Sequence, residues 1–307
     1  MRRVKGEGWT VDSDEGTVCE NRGMELDGDL VRRLVEAALV EDRAAEDVTT
    51  AALVPADQSG HAELVAKEQG VLAGLAFARE AFATGDPKLR WNEDAADGDR
   101  VEPGRVVARV EGSLAAILRA ERVALNFVCH LSGVATAAND IVRLLEGTDC
   151  KLRDTRKTTP GLRAAEKYAT SVGGATNHRF DLADGVLIKD NHIAAVRARD
   201  MSISDAVRLA RAANPHMRVE CEVTDMAEVI DAASADVDEL LLDNMTPDEV
   251  REIVRTLGPA RPVLEASGGI TAKNARAYAE AGVDYISMGA ITHSAKALDF
   301  SLEVVAE

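Results

Sequence analysis

From Met24 onward the chain alternates between two hydrophobic periods. Leu30, Leu34, Val35, Ala38 and Leu39 recur at helical spacing and predict an amphipathic helix that ends near Glu41-Asp42. Shorter runs follow in which apolar and polar residues alternate, His61–Ala66 and Arg105–Val110, and these read as strands. The Gly- and Pro-containing stretch Gly98–Gly104 reads as a connector. The helical period returns from about Leu114 to Cys129, with Leu118, Val123, Leu125 and Phe127 among its apolar positions. Together these elements predict an α+β sandwich domain over residues 24–133.

After Gly133 the pattern becomes a regular alternation of strand and helix. Strand candidates are Lys151–Thr155, Gly185–Asp190, Arg218–Val223, Glu239–Asn244, Pro262–Ser267 and Tyr285–Gly289. Capping residues separate them: Thr224 before Asp225, Thr271 before Ala272, and Thr246-Pro247-Asp248-Glu249, a capping box with proline at the first helical position. Gly282 fits a helix C-terminus. Repeated β-α units with right-handed crossovers make a parallel sheet, and the even spacing favours closure. Six strands are fewer than the usual eight. The predicted fold class is therefore α/β, an open or truncated TIM-like barrel over residues 134–292, with residues 293–307 packing back on the first domain.

Composition narrows the function classes. With 46% hydrophobic but only 3% aromatic residues, the cores must be filled by Val, Leu, Ile and Ala. The net charge of −17 argues against nucleic acid or an anionic membrane as partner. No apolar run is long enough for a membrane span. Residues 1–23 are charged and Gly-containing without an apolar segment, and read as a flexible extension rather than a signal peptide. Cys19, Cys129, Cys150 and Cys221 have no metal-ligand spacing and read as reduced, mostly buried thiols of a cytoplasmic protein. The acidity suits a halophilic cytoplasm, with ordinary acidic variation as the alternative.

One segment departs from this acidity. Between Arg153 and His192 there are seven Lys/Arg against five Asp/Glu, and two histidines besides. Such a reversal suits a pocket for a polyanionic small molecule. The candidate strand ends are polar throughout: Asp154 with Arg156 and Lys157, Lys189 with Asp190, Glu220 with Glu222, Asp243 with Asn244, Glu265 with Ser267, and Ser287 with Gly289. In α/β barrels this rim carries the chemistry. The glycine loops Ser267-Gly268-Gly269-Ile270 and Ser287-Met288-Gly289-Ala290 follow the last two strands, where backbone N–H groups can approach a phosphate. Tight turns alone would also account for these glycines.

The run DTRKTTPGLRAAEKYATSVGGATNHRFDLADGVLIKDNH closely resembles quinolinate phosphoribosyltransferases, as do ERVALNFVCHLSGVAT, VECEV, LLLDN, EASGGI and VDYISMGA. The resemblance runs from about Leu30 to near the C-terminus, including ALVEDRAAEDVTTAALVP. Ala175 stands where the family usually has a third glycine, Cys221 where it usually has valine, and Arg43–Asp47 lacks the usual glycines.

The resemblance implies transfer of a phosphoribosyl group from phosphoribosyl pyrophosphate (PRPP) to quinolinate, with loss of CO2 and with Mg2+ as cofactor. Quinolinate, a planar dicarboxylate, is expected to meet Thr155, Arg156, His178, Arg179 and Lys189, with Arg122 contributed across a homodimer interface. PRPP is expected at Lys157, Glu220, Asp243, Ser267, Gly268, Gly269, Met288, Gly289 and Ala290. Lys157, Lys189, Glu220 and Asp243 are the expected catalytic set. Mg2+ would ride mainly on pyrophosphate, with Glu220 and Asp243 in its shell. His192 is expected to support its neighbours and His130 to be a packed histidine. A paralogue acting on another pyridine or azole acceptor is the nearest alternative. A lipoyl- or biotinyl-type carrier, suggested by GDRVEPGRVVARVEG, lacks the expected hairpin lysine.

Overall fold

The computed structural model describes residues 26–306, so the expectations for residues 1–23 and for Cys19 fall outside it. The first unit runs α1 (Gly28–Glu41), a 3-10 turn, α2 (Val48–Leu53), β1 (Ser59–Ala66), β2 (Gly70–Val71), α3 (Leu75–Gly85), β3 (Arg90–Glu93), β4 (Arg100–Val101) and β5 (Val106–Ser113). The α4 helix (Leu114–Leu144) leads into the second unit: β6 (Lys151–Arg153), α5 (Arg163–Val172), β7 (Val186–Ile188), α6 (Asp190–Arg197), α7 (Ile203–Ala213) and β8 (Val219–Val223). The series continues with α8 (Met226–Ala233), β9 (Glu239–Asp243), α9 (Pro247–Leu257), β10 (Val263–Ser267), α10 (Ala275–Ala281), β11 (Tyr285–Ser287), α11 (Ala290–His293) and β12 (Phe300–Ala306).

In the first unit an antiparallel sheet has the order β12-β1-β5-β3, and β12 brings the C-terminal segment back to pair along the whole of β1. Alternate residues of β1 and β5, such as Ala62, Leu64, Ala108 and Val110, join Phe77, Phe82 and Ile117 in one core. Arg43 adopts a left-handed φ of 52° where a glycine would be unstrained, and its side chain pairs with Glu46.

The structure corrects the expected end of the helix at Cys129: α4 runs on to Leu144, 31 residues in all, roughly 46 Å at the usual rise. Gly133 lies within this helix. A Cβ on it would lie 2.2 Å from the Lys296 carbonyl oxygen, so its glycine lets the returning C-terminal chain cross the helix.

The second unit is a parallel six-stranded sheet in the order β6-β11-β10-β9-β8-β7. Its two edge strands do not pair with each other; an isolated parallel bridge from Arg153 to Thr176 extends the β6 edge. The barrel is open, as the strand count predicts. Leu152, Ile188, Val219, Cys221, Val223, Leu240, Leu242, Leu264, Ala266 and Ile286 form the core beneath the helices. The alternate face of the same strands is charged: Arg153, Glu220, Glu239 and Glu265 are all buried there.

Thr246 caps α9 with its box to Glu249 and proline in the first turn, and Gly282 ends α10 in the left-handed conformation. Two caps lie elsewhere than expected. Asp225, not Thr224, accepts the Glu228 N–H at the start of α8, while Thr224 bonds the Glu228 carboxylate. α10 starts after Asn274, because the Asn274 side chain accepts the Thr271 N–H and closes a turn before the helix. Cys150 and Cys221 are free, buried thiols, both pushed up to about 12 by burial; Cys129 is a free thiol, partly exposed.

Candidate active site

At the end of β6 the chain passes from a buried ion network to a loop of exposed cations. Arg153 turns into the barrel, where its guanidinium pairs with Glu239, lies 2.7 Å from Glu265 and sits 3.4 Å over the Tyr285 ring. Asp154 is fully buried and accepts from Lys167 Nζ at 2.6 Å, Asn177 Nδ2 at 2.6 Å and the His178 N–H at 2.8 Å. Lys167 Nζ also donates to the His178 carbonyl at 2.9 Å. Two of the seven cations in the segment are therefore wholly internal, and belong to no open anion pocket.

Of the remaining cations, Arg156 and Arg179 come close enough to repel each other. His178 Nε2 lies 2.9 Å from Glu220 Oε2 and 3.9 Å from Glu265 Oε2. Burial opposes protonation of His178, but the hydrogen bond it donates to Glu220 and the fields of Glu220 and Glu265 prevail and raise its pKa. Arg179 donates to the Gly185 carbonyl at 2.9 Å. Burial and then the neighbouring Arg156 lower its pKa, while Glu220 acts the other way. The Nε atoms of Arg156 and Arg179 and the Oε1 of Glu220 are buried without a hydrogen-bond partner. Two guanidinium groups held side by side with spare donors are a receptor for an anion of more than one charge.

The residues expected to meet phosphate lie at the ends of β6, β10 and β11. Thr155 Oγ1 accepts the Lys157 N–H at 3.0 Å, and the Lys157 carbonyl accepts from Thr292 Oγ1 at 2.8 Å. The Lys157 stem crosses Gly289, where a Cβ would stand 3.0 Å from its Cδ, with Thr155 Oγ1 and His293 also alongside. Met288 is buried and donates its N–H to the Arg153 carbonyl; Ala290 opens α11 and is exposed. Ser267 pairs in register with Asp243, whose strand neighbour Asn244 receives the Ser267 carbonyl on its N–H. Gly268 has φ +85°, and a Cβ there would meet Asn244 Oδ1 at 2.4 Å. Gly269 is open on the same turn. The helix expected directly after this loop starts only at Ala275, so the loop offers its own turn rather than a helix N-terminus.

On the β7–β9 side Glu222 is held above the usual carboxylate range by burial first and then by Asp243, with Lys189 opposing. Lys189 is exposed, and its N–H is accepted by His192 Nδ1 at 3.0 Å, which gives His192 its supporting part. Arg122 is exposed on α4, 4.0 Å from Glu121, and this chain does not itself bring it to the cluster. Ala175 is buried and lies outside the left-handed region, so the missing glycine leaves the following loop in place.

Sequence reasoning missed Glu166, Lys167, Glu239 and the inward role of Arg153. His130 is more than a packed residue, since its Nε2 lies 2.9 Å from Glu166 Oε1. Only the run of charged residues at alternate strand positions could have pointed to the buried network.

Comparison with known proteins agrees with this geometry. Residues 47–132 match the family model for the N-terminal domain of quinolinate phosphoribosyl transferase, and residues 134–303 match its C-terminal domain. The chain is 43% identical over 275 residues to a probable nicotinate-nucleotide pyrophosphorylase [carboxylating] of Bacillus subtilis, covering 89% of this chain and 93% of that protein. It is 43% identical to the nicotinate-nucleotide pyrophosphorylase [carboxylating] of Mycobacterium leprae, covering 90% and 98%. The solved structure of NadC from Streptococcus pyogenes superposes with a TM-score of 0.87 at 40% identity, over 92% of this chain and 99% of that one. With both family domains matched in order across most of its length, the chain belongs to the quinolinate phosphoribosyl transferase family.

Proposed function

We propose that the protein transfers the phosphoribosyl group of PRPP to quinolinate and releases CO2, giving nicotinate mononucleotide and pyrophosphate. The observation that carries this reading is the proximity of Arg156 and Arg179, two guanidinium groups that repel each other and keep buried Nε donors without a partner. A planar dicarboxylate supplies the missing acceptors in matching geometry. In this reading His178, held by Glu220, and the exposed Lys189 complete the quinolinate contacts.

Lys157, crossing Gly289, and the Gly268 turn hold phosphate groups. Departure of pyrophosphate builds positive charge on the ribose carbon. The unpartnered Glu220 oxygen and Asp243 oppose that charge without reorganising. The quinolinate nitrogen then attacks, and the cationic ring stabilises the electron pair left when CO2 departs. Positioning and electrostatics suffice, with no covalent enzyme intermediate.

The oxygen donors fit a hard divalent cation, since Glu220 has a buried unpaired oxygen and Glu222 and Asp243 face each other from adjacent strands. Glu220 and Asp243 would hold Mg2+, which when bound neutralises the leaving pyrophosphate. In this reading the working unit is a homodimer in which Arg122 reaches the site of the second copy, the protein works in the cytoplasm, and the −17 charge adapts it to high salt. Among the described residues no helix is long and apolar enough to cross a membrane.

The test is PRPP-dependent CO2 release from quinolinate with Mg2+, run across a salt series. Ribosylation of another pyridine or azole acceptor with no CO2 from quinolinate would overturn the assignment. Activity and unfolding midpoints that do not rise with salt would remove the halophilic part alone.

A further inference from the structure

Glu166 and Lys167 are neighbours on α5, and both side chains are fully buried. Adjacent helical residues point about 100° apart, so one short helix addresses two loops. Glu166 Oε2 accepts the Thr159 N–H at 3.0 Å, at the end of the loop that carries Arg156 and Lys157. Its other oxygen is tied to His130 of α4. Lys167 Nζ donates to the His178 carbonyl, while its ion-pair partner Asp154 accepts the N–H of the same residue. Both backbone groups of His178 are thus gripped by one buried pair, and the chain leaves it as Arg179.

We propose that Glu166 and Lys167 are positioning residues that set the two loops independently, Glu166 the Arg156–Lys157 loop and Lys167 the His178–Arg179 loop. The inference rests on the reading of these loops as the binding surfaces for PRPP and quinolinate. The physical reason lies in the exposed ends of the cations. Arg156 and Arg179 repel each other, and the Nε of each is buried without a hydrogen-bond partner. Their spacing before the ligand arrives must come from the backbone, which α5 and Asp154 hold at Thr159 and His178. A displacement of about 1 Å at such a site lowers kcat/KM by about a hundred-fold.

The experiment combines amide hydrogen exchange with steady-state kinetics on Glu166→Leu, Glu166→Gln and Lys167→Met. Glu166→Leu should speed exchange in peptides covering 155–161 alone and raise KM for both substrates. Lys167→Met should speed exchange in peptides covering 176–181 alone and raise KM for quinolinate at least ten-fold with KM for PRPP unchanged. Glu166→Gln keeps an acceptor for Thr159 and should stay near wild type in both readouts. Lys167→Met leaves Asp154 buried without a cation and can fail to fold. The double variant Asp154→Asn/Lys167→Met removes both charges together and carries the same expectation. Exchange that rises in both loops for every variant, or in neither, overturns the proposal, as does a fall in kcat with both KM values unchanged. Separate exchange effects in a wild-type enzyme that does not consume quinolinate would leave the positioning intact and overturn the reaction instead.

Discussion

His178 Nε2 faces Glu220 Oε2 at 2.9 Å while its Nδ1 accepts the Arg179 N–H at 2.8 Å. Protonation of the ring forfeits the second bond, and burial also opposes it, yet the two carboxylates in the barrel raise the pKa. A raised folded-state value means that the imidazolium contributes stability fully below the unfolded value of about 6.5 and loses it as pH rises through the folded value. Unfolding midpoints should therefore fall from about pH 6.5 upward in the wild type, with a flatter profile in His178→Gln. Denaturant titrations over that range check this, and identical slopes would contradict it.

Arg153 carries the counter-charge for two buried carboxylates. Glu239 and Glu265 are both pushed up by burial, with Arg153 working against that rise. Replacing one partner of a buried ionic group leaves the others uncompensated and costs about 3–5 kcal/mol. Arg153→Met should show a loss of this size in chemical denaturation. A change below about 1 kcal/mol would mean that the carboxylates simply take up protons.

Lys157 is exposed, and its backbone rather than its ammonium is tied into the fold. Lys157→Ala should keep the melting temperature and lower kcat by about 10²–10³, the usual loss for one charge-stabilising donor. Kinetics alongside thermal melts decide it, since unchanged kcat and KM would refute the phosphate role.

Arg122 and Lys157 should complement each other across two copies. Inactive Arg122→Ala and Lys157→Ala proteins, mixed and reassembled, should recover about a quarter of wild-type activity, because a two-fold hybrid contains one intact site. No recovery in a mixture shown to exchange subunits would place Arg122 outside the site.

Gly268 needs its left-handed φ and has no room beside Asn244. Gly268→Ala should lose about 1–3 kcal/mol of stability through strain, and KM for PRPP should rise as the turn shifts. A fully stable variant with unchanged KM would show that the turn is plastic.

The barrel was legible because its strands are short apolar runs closed by polar residues, and all six lie within the expected stretches. Arg156, Lys157, His178 and Arg179 were legible as cations out of keeping with an acidic chain. The same signal misled at Arg153 and Lys167, because charge along a sequence does not say which side of a strand faces an ion partner. Their partners are remote: Glu239 and Glu265 follow Arg153 by 86 and 112 positions. What demands a glycine at position 133 is equally remote, a carbonyl from Lys296.

α4 supplies Ile117, Val123 and Val128 to the core of the first unit and Ala138 and Ile141 to the core of the barrel. A single rigid rod embedded in both cores leaves no hinge between them. The two regions should therefore melt as one cooperative block, with damage to either hydrophobic core felt as a loss of the whole molecule.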